Sequence, residues 1–214
     1  MSIATPSSLA ERMSDLGNVP ASRVLMHPPP GTATIVDLIQ SRNNKKPICE
    51  LVDGTLVEKP MGWRESLLAG VLLFWLHRYL EENPIGVVTG PDGLTRLFGD
   101  TVRGPDVAFV SWDRLEGGRI PDVPIPDLVP NFVIEILSVS NTYAEMSRKR
   151  REYFHAGVQL IWMVDPSDRT ISVYTSANHF EIRSEVSEVD GGSVLPGWTF
   201  VVGVLFSKLD EVRK

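Results

Sequence analysis

The stretch Phe132-Val133-Ile134-Glu135-Ile136-Leu137 constrains the fold more than any other part of the chain. Its apolar residues fall on both faces of a pleat, so a strand there must be covered on both sides, as in the centre of a sheet flanked by helices. Within that run sits one ionisable carboxylate, Glu135, and glutamate is almost never fully buried without a partner. Two partners suit it: an arginine in a structural ion pair, or a metal ion. For a carboxylate donor the metal would be Mg2+ or Mn2+.

The segments around this strand carry their own signals. From Trp63 to Glu82, Leu67, Leu68, Val71, Leu72, Trp75, Leu76 and Tyr79 recur at three and four residues, predicting an amphipathic helix that Asn83-Pro84 ends. Ile85 to Thr89 and Leu94 to Phe98 read as strands around Gly90-Pro91-Asp92-Gly93, and Val102 to Ser111 as a third, broken near its start by Pro105. Thr142 and Glu145 fit a capping box for a helix running to Ala156, with Gly157 as its stop. Leu160 to Val164 is again strand-like, closed by Asp165-Pro166. Upstream, Thr34 to Arg42 suits a short helix, and Asp53-Gly54 closes a hairpin over Ile48 to Glu58. Downstream lie strands at Thr170 to Thr175 and His179 to Glu185, a Gly191-Gly192 turn and a last apolar run. The segment 113–130, rich in glycine and proline, reads as a long surface loop.

The fold class is therefore α/β, with an α+β mixed sheet flanked by helices. Residues 1–31 are Ser/Ala/Pro-rich and end in His27-Pro28-Pro29-Pro30-Gly31, which reads as a flexible arm. Residues 32–214 are expected to form a single domain.

Composition removes several classes of function. With 43% apolar and 22% charged residues in 214, the chain can bury one substantial core and is neither collagenous, coiled-coil nor wholly disordered. The apolar stretch Ala69 to Leu76 is far short of the ~20 residues a membrane span needs. Glu11, Arg12 and Asp15 stand where a secretory signal would place its apolar core, and the single Cys49 agrees with a reducing compartment, so a cytoplasmic protein is expected. The net charge of −6 means that any contact with nucleic acid must be local. The one dense basic run is Arg148-Lys149-Arg150-Arg151. Four histidines show neither HxxxH nor HExxH spacing, which counts against a zinc enzyme.

Asp106 is the second acid of interest. It follows Pro105 at the root of the apolar run Val107-Ala108-Phe109-Val110, where it either opens the strand as a turn residue or converges with Glu135. Two carboxylates about 4 Å apart repel by roughly 4 kcal/mol at an effective dielectric of 20, a conflict that a divalent cation resolves. Lys149, on the following helix, either faces solvent with its basic neighbours or supplies a cation to those acids. Tyr143, Met146, Tyr153 and Phe154 mark the apolar side of that helix and Arg150 lies nearer its centre, so periodicity does not choose between the two bases.

Several segments together resemble the Uma-two-type restriction endonuclease family, placed in the PD-(D/E)xK nuclease superfamily. They are Arg103-Gly104-Pro105-Asp106-Val107-Ala108-Phe109-Val110, Ile134-Glu135-Ile136-Leu137-Ser138, Lys149 with Tyr153, Ala156-Gly157-Val158 and Trp162-Met163-Val164-Asp165-Pro166. Glu50-Leu51-Val52-Asp53-Gly54 and Leu195-Pro196-Gly197 extend the likeness over nearly all the chain after the arm. The resemblance implies a restriction-endonuclease-like core of helix, three strands, helix and strand, with an N-terminal strand hairpin and a C-terminal strand-rich extension. It implies Asp106 and Glu135 as metal-binding acids, Glu65 as a further acid near the start of the first helix, and Lys149 as the lysine that positions or activates water. Leu137 stands where a literal ExK would have lysine, Arg150 where the family commonly has an aliphatic residue, and Glu50 is a further candidate.

The activity implied is that of a Mg2+- or Mn2+-dependent endonuclease hydrolysing phosphodiester bonds in DNA through metal-activated water, with Arg148 and Arg151 on the DNA backbone. A homodimer is expected from the resemblance, with the strand-rich tail and Trp198 as a place where two copies could pair. Two rivals remain: a catalytically silent binding or regulatory module on the same fold, and a metal-dependent hydrolase of a smaller phosphoester.

Overall fold

The computed structural model describes residues 8–43 and 47–211. In chain order they form helices α1 (Leu9–Asp15) and α2 (Ile35–Asn43), strands β1 (Cys49–Val52) and β2 (Thr55–Glu58), and helix α3 (Trp63–Glu82). Strands β3 (Gly86–Thr89), β4 (Thr95–Phe98), β5 (Thr101–Arg103), β6 (Val107–Ser111) and β7 (Phe132–Ile136) follow, then helix α4 (Tyr143–Ala156). Strands β8 (Leu160–Asp165), β9 (Thr170–Tyr174), β10 (Phe180–Ser184), β11 (Glu188–Gly191) and β12 (Leu195–Val201) lead to helix α5 (Val202–Ser207).

The central sheet has the order β10-β9-β8-β7-β6-β3, so β7 lies inside it, as its two-sided apolar pattern demands. Only β7 and β8 run parallel, and α4 is the crossover that parallel neighbours require. The pleat sorts the side chains into two layers. Phe132, Ile134, Ile136, Trp162 and Val164 pack with Leu68, Leu72 and Leu76 of α3 and with the C-terminal residues Trp198, Leu205 and Phe206. Val133, Ile161 and Met163 alternate onto the other face and meet Met146 and Tyr153 of α4. Glu135 shares that second face, since it alternates with Ile134 and Ile136.

The capping box at Thr142 and Glu145 is formed, and Gly157 takes a left-handed conformation with φ 108°, which removes the Cβ clash at the helix stop. Asp53 and Gly54 both have positive φ at the turn between β1 and β2. No helix among the described residues is long and apolar enough to cross a membrane.

Three expectations are revised. The run Val102 to Ser111 is two strands in different sheets: β5 joins a four-stranded sheet, β2-β1-β5-β4, while β6 joins the central one. Pro105, which has no N–H for a ladder, sits at the break. Trp198 is 6% exposed and stacks on Trp162 with ring centroids 5.2 Å apart, so its face is spent inside the chain and does not serve to pair two copies.

The N-terminal segment is packed rather than a free arm over residues 8–31; residues 1–7 of the expected arm and 212–214 of the expected domain lie outside the described residues. Leu16, Val19 and Val24 bury themselves against Val52 and Val57 of the hairpin, a contact that the proline-rich composition around them conceals. Arg23 is buried and binds Glu145 of α4 through its two terminal guanidinium nitrogens, at 2.9 and 2.7 Å, while its Nε donates to the Glu58 carbonyl at 2.9 Å.

Burial pushes the Glu145 carboxyl up, but the hydrogen bonds and charge of Arg23 outweigh it and hold it below the ordinary value of 4.5. Its contribution to stability is therefore present above pH 4.5 and is lost as pH falls through the depressed folded value. Arg23→Met, which leaves that carboxylate buried and unpaired, should cost about 3–5 kcal/mol in urea denaturation at pH 7. The stability gap between wild type and Glu145→Gln should be full at pH 7 and narrow below pH 4.5.

Candidate active site

Asp106 and Glu135 reach one place because of strand register. Val107 opposes Ile134 and Ala108 opposes Val133 across the antiparallel β6–β7 pair, so the next position outward sets Asp106 opposite Glu135 on the same face. The Asp106 N–H donates to the Ile134 carbonyl at 3.1 Å, and its Oδ2 accepts the Ile136 N–H at 2.6 Å, which fixes the aspartate at the strand root. Both acids are 3% exposed.

Helix α4 turns a polar stripe toward them: Glu145, Lys149 and Tyr153, each four residues from the next, are all buried. The Lys149 ammonium lies 2.9 Å from Glu135 Oε1 and 2.9 Å from Glu50 Oε1, and the Tyr153 hydroxyl donates to Glu135 Oε1 at 2.6 Å. Glu50 comes from β1 in the other sheet, where Cys49 and Leu51 point to α2 and the intervening residue points to α4. Its second oxygen accepts from Arg103 at 2.7 Å, and its first also accepts the Gly104 N–H at 3.0 Å. The break at Gly104-Pro105 therefore has a function in the geometry: one side of it holds Glu50 and the other presents Asp106.

The field of this cluster separates its two glutamates. Burial pushes Glu50 up, but the charges of Lys149 and Arg103 and the Gly104 N–H more than reverse that and hold it well below the usual carboxylate range. Glu135 goes the other way: burial, together with the negative charges of Asp106 and Glu50, raises it despite Lys149. Burial would lower Lys149, yet Glu135 and Glu50 keep it above the ordinary lysine value, so it is a permanent cation. Burial and Glu135 push Tyr153 well above its usual value, so it stays a neutral donor.

Of the residues singled out in the sequence, Asp106, Glu135, Lys149 and Glu50 are thus brought together. Glu65 is not: it is half-buried in the first turn of α3, its carboxylate folded against Gly62, and it does not line the cavity between the acids. Arg148 is committed within the chain, to Glu152 at 2.6 Å and Asp53 at 2.7 Å. Arg151 is exposed and makes no ion pair among the described residues. Arg150 lies at the flank of α4, its guanidinium 4.5 Å over the Tyr174 ring. The ambiguity between Lys149 and Arg150 is settled by a partner that periodicity cannot register, since the inward stripe of α4 is ion-paired rather than apolar.

Sequence reasoning missed Lys59, just after β2, whose ammonium lies 2.8 Å from Asp106 Oδ1. It also missed the roles of Arg103, Arg23 and Glu145. A lysine in Glu58-Lys59-Pro60 carries no motif, and only the folded hairpin aims it at the acids.

The acids and lysines surround a small cavity of about 10 Å³, lined by Glu50, Lys59, Asp106, Glu135 and Lys149 together with Arg23 and Glu145. That is room for one water-sized body. Among the described residues no three His, Cys, Asp or Glu side chains form a metal-holding group. Magnesium does not need an all-protein cage; one or two carboxylates completed by water and substrate phosphate suffice. The opposed Asp106 and Glu135 fit that donor set.

The helix, three strands, helix and strand that carry these acids are the core of a restriction-endonuclease-like fold, formed here by α3, β3, β6, β7, α4 and β8. The same fold occurs in a solved structure described as a "putative nuclease belonging to DUF820" from Anabaena variabilis, with a TM-score of 0.68 and 24% identity over 76% of this chain and 92% of that one. The chain belongs to the Uma2 family, described as "Putative restriction endonuclease", whose family model matches residues 35–203. No curated protein matches it. Membership makes this a chain of a nuclease family, and α1 with Arg23 lies upstream of the matched region.

The short bond from Tyr153 to Glu135 tests the assembly of the site. Tyr153→Phe should leave the fold intact and lower stability by about 1.5–3 kcal/mol, the worth of a hydrogen bond to a charged group, as read by chemical denaturation.

Proposed function

We propose that this protein is a divalent-metal-dependent endonuclease that hydrolyses phosphodiester bonds in DNA. The observation that carries the reading is the convergence of Asp106 and Glu135 from neighbouring strands beside the buried Lys149 ammonium. Their hard oxygen donors suit Mg2+ or Mn2+. Such an ion supplies a lower pKa for the attacking water and positive charge for the phosphoryl oxygen.

The chain's own residues do the positioning. Tyr153, through Oε1, and Lys149, through both oxygens, fix the Glu135 carboxylate, and Ile136 fixes Asp106 through its N–H. Lys149, held charged by Glu135 and Glu50, presents a cation to the phosphate or to the attacking water. Glu50, itself anchored by Arg103 and Gly104, keeps that ammonium in place. Arg151 is the exposed base for a sequence-independent contact to the DNA backbone, whereas Arg148 would first have to leave its partners in the chain.

The crowding of the site favours a second reading. Asp106, Glu135 and Glu50 all face a lysine of the same chain around a cavity that admits little more than one water, as in a catalytically silent module on this fold.

Cleavage of supercoiled plasmid in Mn2+ or Mg2+ separates the two. The endonuclease reading expects nicking that EDTA abolishes and that Asp106→Ala, Glu135→Ala and Lys149→Ala each reduce by on the order of 10²-fold or more. It also expects Arg151→Ala to weaken DNA binding and flatten its salt dependence. A folded wild type that cleaves neither DNA, RNA nor a small phosphodiester in either metal overturns it in favour of the silent module.

A further inference from the structure

Lys59 differs from Lys149 in how firmly it is held. Its backbone N–H donates to the Ile48 carbonyl at 2.8 Å, and its side chain runs inward, 4% exposed, to 2.8 Å from Asp106 Oδ1. Yet among the described residues its Nζ is buried without a hydrogen bond, and one ion pair retains it. Lys149 is gripped by two glutamates. Asp106 has its Oδ2 engaged by the Ile136 N–H, and Oδ1 is the oxygen that Lys59 occupies.

Space and charge both set Lys59 against an incoming ion. Beside the ammonium the cavity of about 10 Å³ has room for one water-sized body, enough for a bare ion but not for the several waters that Mg2+ keeps. Its lining carries the carboxylates Glu50, Asp106, Glu135 and Glu145 against the cations Arg23, Lys59 and Lys149, one negative charge in excess. A divalent ion added to that set would leave one positive charge in excess at a buried site, where like charges repel strongly. Withdrawal of a single ammonium restores neutrality. Lys59, on its flexible four-carbon stem and with one contact to lose, is the cation that can leave.

We propose that Lys59 is a built-in counter-ion, which occupies the metal position against Asp106 in the ion-free protein and swings away as the divalent ion enters. The inference rests on the metal-dependent reading above. It explains how two opposed, buried carboxylates can be preformed before the ion arrives, and it makes Lys59 a residue that sets metal affinity rather than one that acts on substrate.

Titration calorimetry with Mn2+ on the full chain tests it, alongside a measurement that needs no variant. Lys59→Met should bind Mn2+ on the order of tenfold more tightly than wild type. The metal-free variant should melt at a lower temperature, because Asp106 loses its buried partner. In the wild type, amine acylation read by mass spectrometry should find Lys59 protected without Mn2+ and labelled several-fold faster with it, with Lys149 protected in both states. The counter-ion role alone is lost if wild type binds Mn2+ in a manner that Asp106→Asn abolishes while Lys59 stays protected, or if Lys59→Met binds no more tightly. If wild type and Lys59→Met alike take up no Mn2+, the metal-dependent reading fails and takes this role with it.

Discussion

Two carboxylates placed opposite each other inside a sheet are the constraint around which the rest of the molecule is arranged. Asp106 and Glu135 each lose their hydration on folding, and each raises the cost of the other's charge. Neither strand can supply the compensation, because the remaining residues of β6 and β7 are apolar except for Ser111 and none is a cation. The cations arrive from elsewhere: Lys149 from the crossover helix and Lys59 from the end of the first hairpin. The network therefore ties the small sheet to the central one and α4 to both, so that chemistry and architecture share the same contacts.

That sharing explains an asymmetry within the site. Glu50, surrounded by Lys149, Arg103 and a backbone N–H, is over-compensated and acts as a fixed anion that holds the lysine. Glu135, beside another acid, is under-compensated and keeps an appetite for more positive charge. Environments that drive two chemically identical groups apart assign them different work. Here one glutamate anchors the Lys149 ammonium, and the other is the one that the proposed function leaves to bind a metal ion. The outer pairs, Arg103 with Glu152 and Arg23 with Glu145, extend the alternation of charge to the rim and to the N-terminal segment.

Much of the local structure was legible from the residues. The span of α3, the capping box and glycine stop of α4, the Asp53-Gly54 turn and the interior position of β7 all follow from periodicity, capping chemistry and two-sided apolar patterning. Part of what escaped shares one cause, that a buried polar contact leaves no periodic trace. Arg23 sits in a proline-rich segment that reads as an arm, and the inward stripe of α4 reads as hydrophilic. Trp198 reads as a surface aromatic until it is found stacked on Trp162. Glu65 fits a family pattern by position along the chain, yet it lies away from the cavity because the first turn of α3 folds its carboxylate back on Gly62.

The amino-acid order by itself determined the spans of α3 and α4, that β7 is an interior strand and that a carboxylate must be buried in it. These follow from local rules of backbone and burial, which need only neighbours in the chain. Tertiary structure alone decided that Asp106 falls opposite Glu135, that Glu50 crosses from a second sheet, and that Lys59 rather than a residue of any motif meets Asp106. Register and long-range ion pairing are set by how whole elements share a core, and no short-range pattern encodes a contact between side chains dozens of residues apart.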